Sequence, residues 1–242
     1  MILAVCGGKG GVGKSTVSLN LARELDAVVV DGDLTTPDLP WGRGPDLHDV
    51  LAGRASPIDA VERVGTVDVL PCGRTLAGAR AADLERITDV VGPLDRRHSW
   101  VVLDCPAGLG ADVGYQLFSA DAAVLVTAPT RAGLVNALRT RQLARQLETP
   151  IVSAVLNKTT GDEVIRDRLE RTIGAPTVPV ERDADVARAQ RTWQPVRDTA
   201  PDSPAVDAFE TVAETITDAE RDLKERRRRG AARSAGRRHR PH

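Results

Sequence analysis

Lysine is scarce in this chain. Of 33 basic side chains in 242 residues, four are lysine: Lys9, Lys14, Lys158 and Lys224. Arginine carries the rest of the positive charge, so a lysine here needs a local reason. Aromatic residues make up 2% of the chain, which leaves the core to Val, Leu, Ile and Ala. The three cysteines, Cys6, Cys72 and Cys105, are far apart and form no C-x-x-C pair. That argues against a disulfide framework or a paired-thiol metal site and fits reduced thiols in a cytosol. Cys6 and Cys105 read as small hydrophobes at strand ends. No apolar run approaches the roughly 20 residues of a membrane span. The sequence enters an apolar strand at once, with no secretory or transit pattern. A cytoplasmic protein is expected.

Charge is uneven. From Lys224 to His242 there are nine Lys/Arg and one acid, a net of +8, so residues 1–223 carry −9 of the overall −1. An acidic body is followed by an Arg-rich tail. The tail, residues 224–242, lacks an apolar face and is expected to be disordered. Its charge suits weak, salt-sensitive contact with anionic lipid or with DNA phosphate.

What the chain does have stands at its start. Ile2 to Val5 reads as a strand and Val17 to Leu25 as the body of a helix. Between them runs Gly7-Gly8-Lys9-Gly10-Gly11-Val12-Gly13-Lys14-Ser15-Thr16. Strand, glycine-rich loop and helix is the context in which G-x-x-x-x-G-K-[ST], here Gly8 to Ser15, cradles phosphate. Backbone N–H groups can surround a polyphosphate only where no Cβ atoms intervene. The helix N-terminus points further N–H groups at the same oxygens. Lys14 supplies a point charge for the β- and γ-phosphates, and the Ser15 hydroxyl suits Mg²⁺. Thr16 is in reach of the α-phosphate.

Two more strands are expected to end in carboxylates, the ligand edge of a parallel sheet. Ala27 to Asp31 leads into Gly32-Asp33, and Ser99 to Asp104 leads into Cys105-Pro106-Ala107-Gly108. Asp33 is the candidate to place or deprotonate the attacking water. Ser15, Asp33 and Asp104 are the magnesium candidates, with Asp31 holding the metal's shell or the loop. The small residues after Asp104 suit a loop that approaches and leaves a γ-phosphate.

Gly-Lys-Gly-Gly-Val-Gly-Lys-Ser-Thr, Asp31-Gly32-Asp33 and Asp104-Cys105-Pro106-Ala107-Gly108 resemble the deviant Walker A, switch I and switch II motifs of the MinD/ParA ATPases. The resemblance covers Met1 to about Leu223. It implies a Mg²⁺-dependent ATPase, slow in turnover, that dimerises on ATP, with Lys9 crossing to the partner subunit's nucleotide. It also implies a γ-phosphate bond from the Gly108 N–H, and adenine contacts from Asn157, Pro179 and Glu181. Asp38 departs from the family's usual Asn, and Ala128-Pro129-Thr130 departs from its usual Asn-Pro-Glu. The family's roles suggest positioning of division or polar proteins through an unidentified protein partner, with DNA partition as the alternative. An iron–sulfur carrier is less favoured, because no C-x-x-C is present.

Further strands are expected at Val67–Leu70, Ala122–Thr127, Ile151–Asn157 and from Thr177, about seven in all. Helices are expected at Asp46–Leu51, from Ser56-Pro57, at Ala79–Val91, Gly133–Leu147 and Asp162–Ile173, and from Pro204 to about Arg226. The last has Val206, Phe209, Val212, Ile216 and Leu223 at core spacing. The sum is an α/β fold, a doubly wound, mostly parallel sheet with helices on both faces.

Overall fold

The computed structural model describes residues 1–40, 42–161 and 163–237. Its strands are β1 (Ile2–Cys6), β2 (Val28–Asp31), β3 (Glu62–Val64), β4 (Val67–Leu70), β5 (Val101–Asp104), β6 (Ala122–Thr127), β7 (Ile151–Thr159) and β8 (Thr177–Glu181). Its helices are α1 (Lys14–Leu25), α2 (Leu47–Leu51), α3 (Leu76–Ala81), α4 (Ile87–Arg97), α5 (Ala111–Phe118), α6 (Arg131–Gln146), α7 (Glu163–Ile173), α8 (Ala184–Arg191), α9 (Val196–Thr199) and α10 (Pro204–Arg237).

The strands form one sheet in the order β3-β4-β2-β5-β1-β6-β7-β8, parallel throughout except for the β3–β4 pair. The central strands are short, β-branched and buried on both faces, as strands covered by helices on each side must be. Alternation splits them between two cores. Leu3, Val5, Val29, Val102 and Val124 face α1 and α10. Ala4, Cys6, Val28, Val30 and Leu103 face α2, α4 and α5. Phe209, Val212 and Ile216 of α10 are fully buried in the first core, as their spacing predicts.

Four expectations need correction. The sheet has eight strands where about seven were expected: the strand beyond those expected is β3, three residues on the antiparallel edge. Its alternation is too short to register as a period. Ser56-Pro57 opens only a turn, closed by Ala60 N–H to the Ser56 carbonyl, and the chain then passes into β3. The helix expected over Ala79–Val91 is two. Thr75 caps α3, the chain extends at Ala82, and Asp83 caps a 3₁₀ turn (Leu84–Arg86) that leads into α4. Here the Asp side chain competes with a continuous helix by capping a new one.

Finally, α10 runs past Arg226 to Arg237, through part of the tail expected to be disordered. Its first half is anchored by the core, so each added residue propagates a formed helix rather than nucleating one. Glu, Ala, Arg and Lys favour that state. Glu220 pairs with Lys224 at 2.7 Å and Glu225 with Arg229 at 3.1 Å, both at four-residue spacing. Asp162, expected to open α7, and residues 238–242 of the tail lie outside the described residues.

Candidate functional site

The glycine-rich loop leaves the centre of the sheet, where β1 has β5 on one side and β6 on the other. Gly11 and Gly13 have φ of 76° and 99°, in the left-handed region that glycine enters without a Cβ penalty. Gly13 caps α1 with no side chain bonded to the helix's first N–H groups. Those donors and the dipole's positive end are left for an anion. Lys14, Ser15 and Thr16 are buried at the mouth of a polar cleft of about 230 Å³, lined also by Gly11, Gly13, Asp38, Lys158 and Gln190. Val12 is buried under the loop, while Gly10 lies exposed on its rim.

Two carboxylates end the neighbouring strands β2 and β5. β2 and β5 are neighbours in register, so Asp31 sits opposite Asp104. Asp104 accepts from Ser18 Oγ at 2.9 Å. Asp31 accepts from the N–H groups of Asp33 at 3.3 Å and Leu39 at 3.2 Å. Burial, with Asp104 nearby, pushes the Asp31 carboxyl up to about 8. Burial also pushes Asp104 up to about 6, against the Ser15 and Ser18 hydroxyls and the Lys14 ammonium, which hold it down. Two buried carboxylates that resist ionising mark a place short of positive charge.

This donor set fits magnesium. Ser15, Asp104 and Asp31 offer only oxygen, and Mg²⁺ takes one or two carboxylates together with water and phosphate oxygens. Among the described residues no three His, Cys, Asp or Glu cluster as an all-protein cage would. The metal would therefore arrive with a polyphosphate.

Asp33 is not beside Asp104; Asp31 is, because the strand register ends there. Asp33 lies two residues beyond it, with Oδ1 accepting from Thr36 N–H at 2.9 Å and Oδ2 from Thr36 Oγ1 at 3.0 Å. Thr35 donates to the same carboxylate through its N–H at 3.3 Å and its hydroxyl at 3.2 Å. Asn157 is buried, and its Nδ2 donates to the Val12 carbonyl at 2.8 Å. Its Oδ1 accepts from Lys158 N–H at 2.9 Å. The amide expected to read adenine thus also holds the loop, with one Nδ2–H bonded to Val12 and the other left over. Pro179 and Glu181 are exposed together on one face of β8. Gly108 has φ of 102° with open space where a Cβ would point. A Cβ on Gly10 would lie 3.9 Å from that of Ala107, the neighbour of Gly108, so the two loops pass close to each other. Lys9 is exposed on the rim.

Sequence reasoning did not reach Ser18, Gln116 or Gln190. Ser18 lies one helical turn after Ser15 and so shares its face, a readable signal. Gln116 is not readable: from α5, 84 residues downstream, its Nε2 donates to the Gly32 carbonyl at 2.9 Å. A Cβ on Gly32 would lie 2.1 Å from its Oε1. That contact explains the glycine between the two aspartates. Behind the loop, Gly8 packs on Asn136 and Thr140 of α6 with no room for a Cβ.

The chain belongs to the CobQ/CobB/MinD/ParA nucleotide-binding domain family, whose model matches residues 3–196. It is a doubly wound P-loop protein. Within that family it is 33% identical over 230 residues to an uncharacterised ATP-binding protein of Methanocaldococcus jannaschii, covering 89% of this chain and 88% of that one. The cell division ATPase MinD of Pyrococcus furiosus superposes with a TM-score of 0.83 at 29% identity, over 90% of this chain and 98% of that one. The MinD of Pyrococcus horikoshii, solved with Mg-ADP, superposes with a TM-score of 0.81 at 27% identity, over 89% and 95%. An iron–sulfur cluster carrier protein of Methanocaldococcus jannaschii matches at 29% identity over 64% of this chain and 59% of its own length.

Proposed function

We propose that this protein is a Mg²⁺- and ATP-dependent switch of the MinD/ParA type that dimerises on ATP and separates on slow hydrolysis to ADP. One observation carries the reading. Lys9 is exposed beside the cradle and has no hydrogen-bond or ion-pair partner among the described residues. In a chain this poor in lysine, an unpartnered ammonium on the rim of a phosphate loop suits a phosphate outside its own subunit. Lys14 serves the chain's own nucleotide and Ser15, Asp104 and Asp31 its metal. Asp33 places the attacking water once it leaves the Thr35–Thr36 turn. Pro179, Glu181 and the second Nδ2–H of Asn157 flank the base. The body is residues 1–223. The two nucleotide states offer different surfaces to a protein partner, as a positioning device for division or polar proteins requires.

The basic stretch from Lys224 supports a nucleic-acid or anionic-lipid contact as a second arm, at the periphery of a membrane or on DNA. No described helix is long and apolar enough to cross a membrane. The iron–sulfur carrier reading is weakened because Cys6, Cys72 and Cys105 are all buried. Desolvation pushes the Cys6 thiol up to about 12 and raises the others. A cluster needs accessible thiolates.

Sedimentation with ATP, ADP or no nucleotide tests the switch. The wild type is expected to become a dimer with ATP and to remain a monomer with ADP. Lys9→Ala binds ATP as a monomer and does not dimerise; a normal ATP dimer in that variant would remove Lys9 from the interface. Lys14→Ala binds neither nucleotide measurably, and retained ATP affinity would overturn the cradle.

A further inference from the structure

Three of the chain's four lysines meet at the phosphate loop, and the third comes from the opposite half of the sequence. Lys158, near the end of β7, donates from Nζ to the Gly11 carbonyl at 2.8 Å. Its neighbour Asn157 holds the next carbonyl, that of Val12. Two consecutive residues of one strand thus grip two consecutive carbonyls of the loop. Side chains of adjacent strand residues normally point to opposite faces. They converge here because Lys158 is in the left-handed conformation, with φ of 60°. The β7–β8 register slips between Asn157 and Thr159, leaving Lys158 as the extra residue. A lysine held at positive φ is a strained choice where glycine or asparagine would fit.

The grip has a consequence for the cradle. The loop's N–H groups must point inward at phosphate, so its carbonyls must point out. An outward carbonyl with no partner is free to rotate, and the peptide's N–H rotates with it. Asn157 fixes Val12 from a buried position. Lys158 fixes Gly11 from a half-buried one, beside a glycine with open space around it. Gly11 is the less hemmed-in of the two points, and Lys158 is the more exposed half of the clasp.

Resting on the nucleotide-binding reading above, we infer that Lys158 is a positioning residue that clasps the phosphate loop through Gly11 and sets how long a nucleotide stays bound. It acts on the dissociation rate, because the clasp holds the loop shut around phosphate and contributes little to first encounter. A single charged hydrogen bond at a partly exposed site corresponds to about a tenfold change in rate.

The test is stopped-flow release of a fluorescent ADP analogue, with magnesium, from the full-length protein. Lys158→Met keeps the apolar stem and is expected to release the analogue about tenfold faster at an unchanged association rate. Lys158→Gly removes the clasp and also relieves the positive φ. It is expected to release as fast as Lys158→Met while melting no lower than wild type, a split that a merely structural residue would not give. Lys158→Arg restores the charge and recovers part of the slow release. Release within twofold of wild type in both Met and Gly variants overturns the clasp. Loss of binding in Lys158→Gly that tracks a lower melting temperature overturns it as well. Lys14→Ala in the same assay separates the two readings: if it still binds the analogue, the cradle itself is wrong, whatever Lys158 does.

Discussion

Gly13→Ala should lose nucleotide binding altogether and melt about 10 °C below wild type. Two separate costs meet at this position. The backbone there has φ of 99°, which disfavours any side chain by about 1–2 kcal/mol. The new methyl would also lie 2.1 Å from Asn157 Nδ2. That amide is not a flexible tip that can swing aside. It is buried, bonded through Nδ2 to Val12 and through Oδ1 to Lys158 N–H. Displacing it leaves a buried carbonyl and a buried amide unsatisfied, at about 1–3 kcal/mol more. Together these costs reach about 2–5 kcal/mol, and each kcal/mol moves the melting temperature of a chain of this size by about 2–4 °C. The same shift unseats the loop at the first turn of α1, so the phosphate donors lose their aim. Gly11→Ala is the control. Its φ of 76° brings the backbone cost, but a Cβ there meets nothing within 4 Å. That variant should melt only about 3 °C low. Differential scanning calorimetry and titration calorimetry with Mg-ADP report both effects. Equal melting temperatures for the two variants would show that the Asn157 contact does not brace the loop.

Much of this architecture was legible because its signals are local. A strand, a glycine run with Lys14-Ser15 and a helix are contiguous, and each residue type answers one demand of a phosphate. Asp104 was legible because it ends an apolar strand. What the sequence hid depends on partners far along the chain or on register. Asp31 and Asp33 are equally plausible metal carboxylates when read in a line. Only the pairing of β2 with β5 sets Asp31 opposite Asp104 and leaves Asp33 in its own turn. Asn157 was legible as a site residue, but its bond to the Val12 carbonyl was not, because that contact joins residues 145 apart. Gln116 gave no signal, because its contact with Gly32 joins residues 84 apart. The strand β3 was missed because three residues on an edge carry too little pattern to outweigh the turn chemistry of Ser56-Pro57 before it.

The paired carboxylates predict an unusual pH response. In protein freed of nucleotide and divalent metal, stability should fall as pH rises from 6 to 8, and Asp31→Asn should abolish most of that fall. The direction follows from proton counting. An aspartate in the unfolded chain has a pKa near 3.8, whereas folding raises Asp31 to about 8 and Asp104 to about 6. Below pH 4 both states hold their protons and neither group affects stability. Above it the unfolded chain releases protons that the folded chain keeps, so unfolding is favoured as pH rises, by up to about 1.4 kcal/mol per pH unit per group. The loss from each group ends as pH passes its folded value. Asp104 has therefore contributed most of its share by about pH 6, and Asp31 alone titrates through the window to pH 8. Its slope there amounts to about 2 kcal/mol, or roughly 4–8 °C in melting temperature. Most proteins gain or hold stability over this range, so the sign itself is diagnostic. Asn keeps the shape of Asp31, but its single oxygen accepts from only one of the two N–H groups, Asp33's on Oδ1 or Leu39's on Oδ2. It removes the charge that faces Asp104. Between pH 6 and 8 the variant should lose less stability than wild type, and it should bind Mg-ADP more weakly because a metal-side carboxylate is gone. Thermal melts in EDTA at pH 6, 7 and 8 decide the matter. If wild type and Asp31→Asn run parallel across that window, Asp31 is ionised throughout and some other charge in the cleft already compensates it.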